Sequence, residues 1–199
     1  QHITIINNTI HNRKKSFSTS VPSAGIQSME VISGSPAAEY GDKTSRVINA
    51  TTRSGLGQKL TGDFLAKYGS FGTLGEEATL AAGASRWGNF TAVNTERSGR
   101  FLDTPEFWPM HDAGNTAAVF DRADYQPSGR DAFHLNLMAS RNWFQVPNTY
   151  DQPNQDQRQQ VVSFNIAPGY QHTLDSRTLF SIHAFTRRDQ VDYYPSRDM

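Results

Sequence analysis

The sequence predicts an all-β fold, a partial transmembrane antiparallel β-barrel, from three observations. From residue 59 onward apolar and polar residues alternate with period two, so each strand presents two unlike faces. Short connections alternate with long ones, as in barrels with tight turns at one rim and longer loops at the other. Aromatic residues gather near strand ends: Tyr68, Phe71, Trp87, Phe90, Phe101, Tyr125, Trp143, Phe144 and Tyr170. Rings with an apolar body and a polar tip favour a membrane–water boundary.

Taken in order, Phe64, Ala66 and Tyr68 face one way while Asp63 and Lys67 share the other. Weaker candidate strands follow at 77–84, 89–97 and 118–125. The clearest strand sets Phe133, Leu135, Leu137 and Ala139 against His134, Asn136, Met138 and Ser140, which makes Leu135 a lipid-facing candidate. A candidate at 161–170, then Phe180, Ile182 and Ala184 against Ser181 and His183, bring the total to about seven strands. Most are near the roughly 9–11 residues that a tilted spanning strand needs. The links at 85–88, 127–130 and 174–177 are short. Those at 100–116 and 143–160 are long, and Asp189 onward reads as the start of another long loop.

Composition narrows the classes. Nineteen basic and nineteen acidic residues cancel, which argues against nucleic acid as a partner. Only 36% of the 199 residues are hydrophobic, and mean hydropathy is −0.61. No run approaches the roughly 18 apolar residues of a membrane helix. Spanning strands show lipid only every second residue, so a barrel has this polar average too. The absence of cysteine suits an oxidising compartment without disulfides. The chain opens on Gln1 with no basic and apolar leader, and it reads as an internal piece of a longer protein.

Residues 26–53 carry the most informative pattern. An apolar strand (Met29, Val31, Ile32, with Glu30 between) runs into Gly34 and Pro36. Glu39-Tyr40-Gly41 follows, then a second strand, Val47-Ile48-Asn49-Ala50-Thr51-Thr52. Gly34 permits a backbone reversal and Pro36 stops the first strand. This segment resembles the closing part of the plug domain of TonB-dependent outer-membrane receptors. Within that family, several further segments are similar to the large Oar-like receptors. They are Ala38 to Ser45, Asn49 to Gly55, Tyr68 to Thr73, Arg100 to Pro105 and Asp121 to Pro127. Two positions depart from the common pattern: Ser33 stands where Arg usually precedes the Gly, and Ser45-Arg46 stands where Gly-Gly is usual. The task of the missing Arg, locking plug to wall, would then fall to Arg46 or Lys43.

The resemblance implies a division of the chain. Residues 1–53 would be the C-terminal part of a small α+β plug, with 1–25 poorly matched. Residues 54–58 would be a linker, and 59–199 the first strands of a barrel that closes with about twenty-two. It implies a cell outer membrane of a Gram-negative bacterium, outer-membrane lipid around the wall, and no cofactor. It also implies a carboxypeptidase-regulatory-like domain ahead of the plug in the parent protein. Transport of a small-molecule, oligosaccharide or peptide ligand would draw energy from a TonB–ExbB–ExbD complex through a TonB box upstream. Ligand contacts would fall in loops 99–117 and 143–160, on Asp103, Glu106, Trp108, His111, Asp112, Trp143 and Tyr150.

Other chemistry finds little footing. The six histidines, His2, His11, His111, His134, His172 and His183, form no metal-binding spacing. His134 and His183 fall on polar strand faces. No nucleophile elbow, phosphate loop or dinucleotide fingerprint occurs, so no enzyme is expected. The alternative is a soluble or surface β-rich binding or adhesion module, such as a lectin-like sandwich, with the same alternation and no lipid.

Overall fold

The computed structural model describes residues 2–5, 22–33, 46–104, 106–108 and 110–196. Two antiparallel sheets dominate them. The smaller holds β1 (His2–Ile5), β2 (Ile26–Ser33) and β3 (Arg46–Thr52) in the order β1-β3-β2. In register, Ile48 lies opposite Ile5 on one side and Val31 on the other. The two strands that frame the motif are therefore present and paired. Gly34, Pro36, Glu39, Tyr40, Gly41 and Lys43 lie outside the described residues. Among the described residues there is no α-helix, only 3-10 turns at Ser23–Gly25 and Ser70–Gly72, so the helical part expected of a small α+β domain is not seen there.

The larger sheet is a meander. Its strands are β4 (Thr61–Gly69), β5 (Thr73–Gly83), β6 (Trp87–Ser98), β7 (Gly114–Tyr125), β8 (Asp131–Val146), β9 (Gln157–Thr173), β10 (Leu179–His183) and β11 (Thr186–Tyr194). Each from β5 to β10 pairs antiparallel with its predecessor, and β11 also lies along β9. Among the described residues the sheet stays open: β4 at one edge and β10 with β11 at the other have a partner on one side only.

β10 and β11 are one strand with a break. Leu179 lies opposite Thr173 and Thr186 opposite Ile166, a single uninterrupted register. The gap falls at Ala184 and Phe185, opposite Pro168. The Ala184 N–H donates to the Pro168 carbonyl at 3.1 Å. In an antiparallel ladder the N–H and C=O of one residue point the same way, so the return bond should come from residue 168. Proline has no N–H to give, and the ladder lapses there.

β11 departs from the expectation of a loop after Asp189. Its charged residues Arg187, Arg188, Asp189 and Asp192 weaken the apolar signal, but pairing with β9 holds the strand through Tyr194. The loops are also shorter than expected. β7 begins at Gly114, β8 runs 16 residues to Val146 and β9 begins at Gln157, so the long connections are 99–113 and 147–156. Both lie at one end of the sheet, and the short turns 84–86, 126–130 and 174–178 lie at the other. The alternation has one exception. The β4–β5 connection, at the loop end, is only Ser70–Gly72, closed by left-handed backbone at Phe71 (φ 59) and Gly72 (φ 63).

The two faces of this sheet are unlike. One carries Asp63 and Lys67 on β4; Phe90 and Ala92 on β6; Ala118, Phe120, Arg122 and Asp124 on β7; and His134, Asn136, Met138, Ser140, Asn142 and Phe144 on β8. Most of these are buried, and the buried ones divide evenly between polar and apolar residues. The other face carries Phe64, Leu80, Trp87, Val93, Val119, Tyr125, Phe133, Leu135, Leu137, Val162, Phe164 and Ile182, most of them exposed. Register sets Trp87 opposite Tyr125, Tyr125 opposite Phe133, and Phe133 opposite Tyr170, so four aromatics form a row across four strands. The alternation read along the sequence is the alternation of these faces.

The covered face receives the chain that precedes it. Ala81, Phe90, Ala92 and Phe120 form a core against which Ala24 packs, and Phe120 is 1% exposed. Gly25 rests on the Phe120 ring; a Cβ there would lie 2.9 Å from Cδ1. Residues 54–58, expected as a linker, dock on the β5–β6 hairpin instead. Three glycines let the backbones touch: a Cβ on Gly55 would lie 2.0 Å from the Asn89 carbonyl oxygen, and one on Gly88 2.2 Å from the Leu56 nitrogen. On Gly83 it would lie 2.4 Å from the Gly55 oxygen.

The account of the β10–β11 break is testable. Pro168→Ala restores the missing donor and should join the two strands, adding about 0.5–1.5 kcal/mol. Amide hydrogen exchange should then show a protected N–H at position 168. A freely exchanging amide there would mean that something other than proline opens the ladder.

Candidate functional site

Two places on the molecule concentrate polar chemistry. The first is the seam between segment 50–58 and the covered face. Alternation puts Arg122 and Asp124 side by side on the same face of β7. Their side chains are nearly enclosed, with 8% of each exposed. The Arg122 Nε donates to both carboxylate oxygens of Asp124 at 3.1 and 3.0 Å, and Nη2 to Oδ1 at 2.8 Å. Its Nη1 reaches across the seam to the Thr52 carbonyl at 3.2 Å and to Thr52 Oγ1 at 2.8 Å. From the other side Ser54 Oγ donates to Asp124 Oδ2 at 2.5 Å, while accepting from the Leu56 N–H. The planar guanidinium thus holds a carboxylate of β7 with one edge and the end of β3 with the other, a geometry that lysine cannot supply. Ser23 Oγ adds a contact to Glu77 Oε2 at 3.2 Å.

Sequence reasoning offered Arg46 or Lys43 for such a tie; Lys43 and the side chain of Arg46 lie outside what the structure describes. The tie that is described runs from an arginine of the larger sheet to the end of the smaller one. A signal was available in Arg122 and Asp124, two charges two apart within an otherwise apolar strand face. Their partners, Thr52 and Ser54, lie seventy residues away, which no local pattern reports. Within the motif, Glu30 is exposed on β2, and Asn49 lies in β3 opposite Glu30 and Thr4.

The second place is the loop end. Connections 99–113 and 147–156 are tied together. The Trp108 N–H donates to Tyr150 Oη at 2.8 Å, and the Tyr150 N–H to Glu106 Oε1 at 3.4 Å. His111, in left-handed backbone with φ 49, brings Nδ1 within 3.3 Å of Asn148 Oδ1. Beneath them Phe101 stacks on Phe144 with centroids 6.0 Å apart, in a cluster with Val161. The Gln145 side chain accepts from the Ala113 N–H and donates to Asp156. The Asp156 carboxyl is held below its usual range, chiefly by hydrogen bonding from Arg158, which outweighs the opposing effect of burial and is reinforced by Gln145.

Three of the seven candidate contact residues therefore meet, Glu106, Trp108 and Tyr150, while His111 reaches the second connection through Asn148 and Asp112 braces the first. Asp112 is 3% exposed, and its Oδ1 accepts the Leu102 N–H at 2.8 Å, so it closes the loop rather than facing outward. Asp103 is exposed on the same connection. Trp143 belongs to β8, on the exposed face, with the Arg158 guanidinium 5.9 Å from its ring centroid. Phe107, which sequence reasoning did not single out, stands edge-on to Trp108 at 5.3 Å; the two are 79% and 68% exposed. The arrangement offers aromatic faces and hydrogen-bonding groups for binding. Among the described residues no three His, Asp or Glu side chains gather as a metal site.

One feature of the exposed face runs against its apolar character. Asp121 accepts from Asn89 Nδ2 at 3.1 and 3.0 Å and from Thr91 Oγ1 at 2.6 Å, forming a small polar knot among Val93, Val119 and Leu137.

Compared with protein-family models, curated proteins and solved structures, the chain matches none.

The seam yields a direct prediction. Arg122→Ala strands the buried Asp124 carboxylate and should cost about 3–5 kcal/mol. Because it frees the end of β3, trypsin should cleave after Arg53 about a hundredfold faster or more. An unchanged cleavage rate would show that segment 50–58 is held by other contacts.

Proposed function

We propose that this chain forms part of the plug and the first wall strands of a TonB-dependent outer-membrane transporter of the Oar-like kind. The observation that carries this reading is the inverted character of the larger sheet. Its covered face buries Arg122, Asp124, His134, Asn136, Ser140, Asn142 and Ser163 beside Phe90, Phe120 and Phe144, while its bare face is mainly apolar, interrupted by the Asp121 knot. A sheet folded for water does the opposite, because burying apolar area drives folding and burying polar groups opposes it. A spanning barrel puts its polar side toward the lumen and its apolar side toward lipid. Asn94 Oδ1 and Asn136 Oδ1, buried with no hydrogen-bond partner among the described residues, suit a face that water or further plug residues would complete.

In this reading residues 22–25 and 50–58 lie against the lumen wall, held by the Arg122–Asp124 seam. Ligand meets the joined loops around Trp108 and Tyr150. Energy drawn through TonB–ExbB–ExbD displaces the plug and admits the ligand, with no covalent chemistry. The open edges at β4 and at β10 with β11 are where the remaining wall strands would pair, since lipid tolerates no unpaired edge.

The Asp121 knot favours a second reading, in which protein rather than lipid covers the apolar face, as in a soluble or surface β-rich binding module. One substitution separates the two. Leu135→Arg on the apolar face should impair membrane assembly of the parent protein by about 2–4 kcal/mol if that face meets lipid near the midplane. It is read by envelope fractionation beside the unsubstituted protein. Recovery of the unsubstituted protein in the soluble periplasm would remove the transporter reading.

A further inference from the structure

We propose that the turn end of the larger sheet is a binding rim for glycerophospholipid headgroups, with arginines that take the phosphates and an apolar groove that takes the adjoining acyl chain. The proposal rests on the membrane reading above and adds to it a specific lipid chemistry at one rim.

Each of the three turns at this end contributes one arginine: Arg86 from 84–86, Arg130 from 126–130 and Arg177 from 174–178. The backbone fixes them at the rim. The Gln126 N–H donates to the Arg86 carbonyl at 2.7 Å, and the Thr173 N–H to the Arg130 carbonyl at 2.8 Å. Successive turns lie two strands apart, so the arginines recur about every 10 Å along the rim. All three are exposed, and among the described residues none of their guanidinium groups has an ion-pair or hydrogen-bond partner. The facing acids are Asp131, held by Ser128, Tyr170 and His172, and Asp175, which accepts the Arg177 N–H. The opposite end has the reverse balance: its long connections carry Asp103, Glu106, Asp112, Asp151 and Asp156 against Arg100.

Moving up the bare face from this rim, the chemistry changes in the order of a lipid monolayer. The arginines come first, then the Asp131–His172 pair. The aromatic row of Trp87, Tyr125, Phe133 and Tyr170 follows, with Phe133 stacked 4.6 Å from Tyr170. Above that row the small residues Ala123, Pro168 and Ala184 leave a groove of about 380 Å³, bounded by Leu135, Tyr170 and Ile182. The break opposite Pro168 helps to open it. A phosphate beside arginine, a glycerol backbone at the aromatic row and an acyl chain in the groove match charge, interface and apolar layer in turn. Free phosphate would use only the first layer.

The test uses flotation of the full chain with phosphatidylcholine vesicles, with and without phosphatidylglycerol, at low ionic strength. Insertion should be stronger with phosphatidylglycerol. Arg86→Gln, Arg130→Gln and Arg177→Gln should each reduce that preference about fivefold, with no change on phosphatidylcholine alone. Circular dichroism confirms that the exposed-turn variants retain β structure. Insertion that is equal in both vesicles and indifferent to the three substitutions would overturn the rim while leaving the membrane reading intact. Loss of the preference on adding inorganic phosphate at matched ionic strength would reassign the rim to free anions and overturn it as well. Flotation with neither vesicle would remove the membrane reading and the rim together.

Discussion

The Arg122–Asp124 pair is the interaction on which the arrangement depends. It lies on the covered face of the larger sheet, and it is the point where the end of the smaller sheet is tied down. A buried ion pair alone is poor evidence of stability, because desolvation offsets its attraction. Here Thr52 and Ser54 supply further hydrogen bonds to the pair, so these are made only when segment 52–54 is in place. Docking and the making of these bonds are therefore one event. Phe120 and the contacts among Gly55, Gly83 and Gly88 give the seam its fit, and the charges fix its position.

That seam also explains why the polar face can be the covered one. Around it, apolar packing is confined to two small clusters, one at Phe90 and Phe120 and one at Phe101, Phe144 and Val161. Between them lie Ser140 and Asn142, which need hydrogen-bonding surroundings. Most of the sheet's large apolar side chains outside these clusters point the other way, Leu65, Leu179, Val191 and Tyr193 excepted, so much of the driving force for burial acts on the bare face. Such a sheet is complete only when that face is covered by an apolar medium or by another protein surface. The row of Trp87, Tyr125, Phe133 and Tyr170 at the edge of the apolar field is what an interface with lipid would select.

Much of the fold was legible because it is local. Period-two alternation set the faces of β4, β8 and β10, where strand neighbours differ sharply in polarity, as between Leu135 and Asn136. It missed β11, whose Arg187, Arg188 and Asp189 mask the alternation and whose pairing with β9 is not a local property. It drew the loops too long because Trp143 and Gln145 continue β8 past the apolar stretch. The candidate site was legible in part. Glu106, Trp108 and Tyr150 were expected in two separate loops and are brought together by contacts such as that of Trp108 with Tyr150. Asp112 was expected at the surface and is instead a buried brace. The seam itself was not legible, since it joins residues seventy apart through side chains of common type.

The claim that most of this rests on is the assignment of the two faces, and β8 permits a direct measurement. The chain has no cysteine, so single cysteines at positions 133–140 can carry a nitroxide without background. Accessibility to oxygen and to a water-soluble relaxant is then read in the parent protein in bilayers. The account predicts that positions 133, 135, 137 and 139 favour oxygen, and that 134, 136, 138 and 140 are shielded from it. Odd positions open to the water-soluble relaxant, or no alternation at all, would contradict it.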